Sequence, residues 1–72
     1  MKKDFNVKVG SIIKEYRQVR RMTQLQLAQR VGIAKSTLAC YETGARGIDL
    51  DTFFDICYVL GIDPSDVQRQ VS

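Results

Sequence analysis

Few side chains in this chain carry reactive or metal-binding chemistry: there are two cysteines, Cys40 and Cys57, and no histidine. That set excludes Cys₄ and Cys₂His₂ zinc modules and any histidine-based catalytic site. The expectation is no metal, no cofactor and no enzymatic activity. Charge and hydrogen bonding are what remain. Ten of the eleven Lys and Arg fall in residues 1–47 against Asp4, Glu15 and Glu42, a net +7. Residues 48–72 set Arg69 against Asp49, Asp51, Asp55, Asp63 and Asp66, a net −4. The overall +3 therefore averages a basic part suited to a polyanion and an acidic part with another use.

The elements that position these charges must come from one domain, because 72 residues leave no length for a second. A chain this short buries only about 60% of its unfolded surface, which makes it marginal unless stapled or paired. The 44% apolar and 26% charged residues are those of a folded domain. Residues 1–6 carry no apolar signal core, and no stretch approaches the roughly 18 apolar residues of a membrane span. A cytoplasmic protein with two free thiols is expected.

Periodicity and punctuation predict five helices and no strand, an all-α class. The first spans about Lys8–Arg20, with Val9, Ile12, Ile13 and Tyr16 inward, and ends at Arg21, where a left-handed residue would carry a steric cost. Thr23 is the expected N-cap of a second helix, Gln24–Val31, with Gln26 in the capping-box position. Gly32 supplies the turn. The third runs Lys35–Thr43 with Leu38 and Tyr41 inward, the fourth Leu50–Leu60 behind an Asp49 cap, and the fifth starts at Asp63-Pro64. This gives a basic tail at 1–7, a domain at 8–69 whose helix-turn-helix unit is 24–43, and a C-terminal tail at 70–72.

Two short helices around a Gly-containing turn form a helix-turn-helix unit. Ala28 is small at the crossing, and Leu27, Val31, Ile33, Leu38 and Tyr41 provide the apolar faces. The stretch from Met22 to Leu38, with Tyr41-Glu42, Gly44, Leu50-Asp51-Thr52-Phe53 and Leu60-Gly61-Ile62, resembles the phage repressor and Cro type of helix-turn-helix protein, the XRE family. The resemblance implies a compact five-helix, lambda-repressor-like domain that binds double-stranded DNA as a homodimer, with its third helix in the major groove. It also implies a structural salt bridge between Arg17 and Glu42, and a Gln24 that contacts phosphate while buttressing the third helix. Thr23 beside it caps and touches the DNA backbone.

With Leu38 and Tyr41 inward, Lys35, Ser36 and Ala39 face outward, flanked by Thr37 and Cys40. Lys35 can donate to guanine O6 or N7, Ser36 to several partners, and Ala39 can rest on a thymine methyl. Base readout is assigned to Lys35, Ser36, Ala39 and Cys40. Phosphate contact is assigned to Thr23, Gln24, Thr37, Thr43 and Arg46. For Arg46 the alternative is a solvated loop charge, and for Lys2, Lys3 and Lys8 a frayed tail without defined contacts. Cys40 offers either a redox block at the DNA face or simply a small side chain, while Cys57 belongs to the core. Phe54, Tyr58, Val59, Ile62, Val67 and Val71 form either a self-complementary dimer interface or a wide core face.

The function expected is a sequence-specific transcriptional regulator acting as a homodimer on a pseudo-palindromic operator. The alternative is an antitoxin or other protein-interaction module whose DNA binding is secondary.

Overall fold

The computed structural model describes residues 2–72, with side chains from Asp4 onward. It contains α1 (Lys2–Val19), α2 (Gln24–Val31), α3 (Lys35–Thr43), α4 (Leu50–Leu60) and α5 (Pro64–Val71), with no strand among the described residues. Helices as short as α2, α3 and α5 are marginal in water by themselves, so packing must hold them. α1 is the organiser: it lies most extensively against α3 and also against α4 and α5, while α2 bridges α3 and α4. Between them sits one core of Val9, Ile12, Ile13, Leu27, Ala28, Leu38, Tyr41, Ile56, Cys57, Leu60, Ile62 and Val67.

The predicted N-terminal tail is helical from Lys2, so α1 starts six residues earlier than its apolar pattern indicates. Tertiary contact explains the extension. Val7 closes on Gly44 and Asn6 approaches Gly47, so the loop after α3 supports turns that lack a strong inward stripe of their own. The expected DNA attraction of Lys2 and Lys3 concerns side chains outside the described ones, and Lys8 is exposed. At the other end α5 reaches Val71, whose half-buried side chain packs on the core and draws residues 70 and 71 out of the predicted tail.

Local signals determine the remaining boundaries. α1 ends where Arg21 takes φ 56°, the strained left-handed position expected there. The Thr23 hydroxyl accepts the Gln26 N–H at 3.0 Å while Gln26 Oε1 accepts the Thr23 N–H at 2.8 Å, a complete capping box. Gly32 adopts φ 85° and donates its N–H to the Ala28 carbonyl at 2.8 Å. A Cβ on Gly32 would meet nothing within 4 Å, so the turn needs glycine for backbone conformation and not for space. Asp49 and Asp63 cap α4 and α5 by accepting the backbone N–H groups of Thr52 and Ser65. Cys57 lies in the core, and burial pushes its thiol pKa up to about 11. No helix among the described residues is long and apolar enough to cross a membrane.

Candidate nucleic-acid interface

α3 presents the candidate site. Its inward side is occupied by Leu38, fully buried, and Tyr41, 4% exposed. On the outward side Lys35, Ser36 and Cys40 are exposed, while Ala39 and Thr37 are half-buried. Cys40 thus shares the open face with Lys35 and Ser36, and Ala39 turns partly toward the protein. The helix starts at Ala34, which offers no side chain to its first-turn N–H groups. Those groups therefore lack a side-chain cap, and together with the positive end of the helix dipole they suit an anion.

Three side chains from three helices orient α3. Arg17 on α1 grips Glu42 as a fork, with Nε donating to Oε2 at 2.6 Å and Nη2 to Oε1 at 3.0 Å. Its remaining amine donates to the Met22 carbonyl at 2.7 Å. Gln24, at the start of α2, donates from Nε2 to Glu42 Oε1 at 2.9 Å. Glu42 is 5% exposed and Arg17 8%, so the pair is almost dry. No buried side-chain nitrogen or oxygen among the described residues is left without a partner, so the polar knot is fully connected. A planar bidentate guanidinium resists rotation in a way that a lysine would not.

The residues assigned to phosphate contact are in different states. Thr23 is exposed at the start of α2 with its oxygen engaged in the capping box. Gln24 is half-buried, and its amide nitrogen serves Glu42. The Thr43 hydroxyl donates to the Cys40 carbonyl at 3.2 Å, and Thr37 is half-buried. Arg46 is exposed in the loop after α3, where its backbone N–H also reaches the Cys40 carbonyl at 3.3 Å. Its guanidinium lies over the Tyr41 ring, 5.9 Å from the centroid.

At the acidic end the two readings divide the residues between them. Ile62 and Val67 are core residues, 7% and 1% exposed, and therefore unavailable to a partner. They are buried because the segment after Gly61 turns back so that α5 lies against α1, which apolar spacing alone does not reveal. Phe54 and Tyr58 are exposed, while Val59 and Val71 are half-buried against the core. An open apolar groove of about 620 Å³ runs beside them, lined by Phe5, Ile48, Leu50, Phe53, Phe54 and Val71 among others. Phe5 and Leu50 carried no sequence signal for it, since their neighbours are distant in the chain. Gly10, inside the helical pattern of α1, was another missed residue; an isolated helical glycine is the signal that marks it.

These features have counterparts in known proteins. The family model described as helix-turn-helix matches residues 13–67. The antitoxin PezA of Streptococcus pneumoniae is 30% identical over 59 residues, covering 82% of this chain and 37% of PezA, so the chain spans little more than a third of that relative. The restriction-modification controller protein C.AhdI of Aeromonas hydrophila superposes with a TM-score of 0.82 at 27% identity, over 86% of this chain and 94% of C.AhdI. The clp gene regulator ClgR of Corynebacterium glutamicum does so at 0.89 and 19% identity, over 93% and 71% of the two chains, a likeness of fold alone. With the matched family spanning most of its length and α2 and α3 forming the defining unit, the chain belongs to the XRE-type helix-turn-helix family of DNA-binding transcriptional regulators.

Proposed function

We propose that the chain reads a specific double-stranded DNA sequence with α3 and does so as a homodimer on a pseudo-palindromic operator. The observation that carries this reading is the exposed Lys35, Ser36 and Cys40 face on a helix whose opposite side is locked by the Arg17–Glu42–Gln24 knot. Lys35 and Ser36 contribute donors to base edges, and Ala39 and Cys40 contribute small surfaces that permit close approach. Thr23, Gln24, Thr37, Thr43 and Arg46 ring this face and serve the phosphates. Because α3 offers no Arg, Asn or Gln for bidentate base contacts, DNA shape carries part of the specificity. Phe54, Tyr58, Val59 and Val71 remain as the proposed dimer contact, without Ile62 and Val67.

Selection of bound sites from random duplex DNA tests the whole reading. Half-sites about 34 Å apart, one helical turn, are expected for a dimer. If each subunit neutralises about four phosphates, log K against log salt has a slope near −7, and a flat salt dependence overturns the electrostatic part. Lys35→Ala is expected to relax one or two base positions at a cost of about 1–3 kcal/mol in binding. Equal weakening on every sequence would instead make Lys35 a phosphate contact.

The similarity to an antitoxin favours a second reading, in which the acidic end engages a protein partner and DNA binding is secondary. Stoichiometric co-purification of an unrelated protein, lost on Phe54→Asp, would support it over the first.

A further inference from the structure

α1 touches α3 backbone to backbone. Gly10 lies on the buried side of α1, and a Cβ there would stand 2.1 Å from the Tyr41 carbonyl oxygen and 2.7 Å from that of Glu42. Carbon and oxygen ordinarily keep about 3.3 Å apart, so a methyl group at this position requires the helices to separate by about 1 Å. Both obstacles are backbone carbonyls, so neither can swing aside. Glycine is otherwise a poor choice inside a helix, where alanine is preferred, which makes its presence here informative.

Gly10 and Arg17 are seven residues apart, two turns along one face of α1. The first carries the Tyr41 and Glu42 carbonyls and the second grips the Glu42 carboxylate. The last turn of α3 is thus held by both its backbone and its side chain. A nine-residue helix moves as a body, so the depth of that turn determines where Cys40 beside it and Lys35 and Ser36 at the other end of the helix stand. Binding constellations tolerate displacements of about 0.5 Å, less than an added methyl group would impose.

We infer that Gly10 is a specificity-determining positioning residue: its missing Cβ sets how deeply α3 seats on α1 and hence the register of the readout face on base edges. The inference rests on the proposal that α3 reads bases. Thr23 and Gln24 stand at the start of α2 and the long Arg46 side chain can follow, so these keep their phosphates when α3 is displaced, whereas the short Ser36 and Ala39 lose their base edges. Gly10→Ala therefore removes discrimination while leaving general DNA attraction.

The experiment uses the site selected by the wild-type chain and a scrambled duplex at the same salt, with each variant shown folded by circular dichroism. For Gly10→Ala the ratio of specific to non-specific affinity is expected to fall about tenfold or more, with non-specific affinity and salt slope within about twofold of wild type. Ile56→Val, a core change in α4, is expected to keep the wild-type ratio. An unchanged ratio in Gly10→Ala overturns the inference. Arg17→Lys decides the matter even if Gly10→Ala does not fold: it loosens the fork but leaves the Gly10 seat, so the ratio is expected to hold within about twofold. A collapse of specificity in Arg17→Lys means that the ion pair, not Gly10, sets the register. Failure of the wild-type chain to select any site overturns the functional reading itself, a result separate from these.

Discussion

α3 and α4 are similar in length, nine and eleven residues, yet are held in opposite ways. α4 supplies its own order: the Asp49 carboxylate caps it, and Ile56, Cys57 and Leu60 sink into the core. α3 has no capping side chain, and one of its three buried residues, Glu42, is charged and needs partners from other helices. Its position is imposed from outside, by Arg17 and Gly10 of α1 and by Gln24 of α2. The difference teaches that α3 is sensitive to residues on neighbouring helices, whereas α4 is sensitive mainly to its own apolar face.

The comparison can be broken most directly at the buried pair. Glu42→Leu strands a nearly dry Arg17 and is expected to cost about 3–5 kcal/mol in denaturant unfolding. That is a large share of the roughly 4–11 kcal/mol available to a chain of this size. Arg17→Met combined with Glu42→Leu is expected to return stability close to wild type, because apolar packing replaces the buried pair. Should the single substitution prove as mild as a surface change, α3 would not depend on the pair.

Next comes the core of α4. Ile56→Ala, at a fully buried position, is expected to lose about 2–5 kcal/mol and lower Tm, with DNA affinity unchanged at temperatures where the protein remains folded. A loss of specificity in this variant would erase the distinction between the two helices. Smaller still is Thr23→Ala, which opens the capping box of α2 at about 1 kcal/mol. Because Gln24 follows immediately and buttresses Glu42, part of that effect should also appear in DNA binding.

The mildest test is pH. The Thr52 hydroxyl and backbone N–H hold the Asp49 carboxyl below its ordinary value, and the Ser65 backbone N–H and hydroxyl do the same for Asp63. A carboxyl whose pKa is lower in the folded than in the unfolded state contributes stability above the unfolded value, about 3.9, and loses it as pH falls through the folded one. Stability is therefore expected to decline below about pH 4, and Asp49→Asn with Asp63→Asn, which keep the caps but cannot titrate, should make that decline shallower. An identical acid limb in the double variant would show that these caps contribute nothing through their charge.

Much of this was legible in the residues. Thr23 with Gln26, Gly32, Asp49, Gly61 and Asp63-Pro64 are local signals, and α2, α3 and α4 begin and end where those signals place them. The outward position of Lys35 and Ser36 follows from the inward spacing of Leu38 and Tyr41. What failed depended on distant neighbours. The first two turns of α1 are ordered by the loop after α3, and Ile62 and Val67, apolar and suitably spaced for an interface, are consumed by the core.

The sequence by itself determined the boundaries of α2, α3 and α4, the family and the outward face of α3, because capping, turn conformation and amphipathic spacing act over four or five residues. Only the tertiary structure decided which apolar residues of the acidic end remain exposed, and that α3 rests on the bare backbone of Gly10. Both are matters of which surfaces meet across the fold, and no periodicity along a single helix encodes the depth to which another helix settles on it.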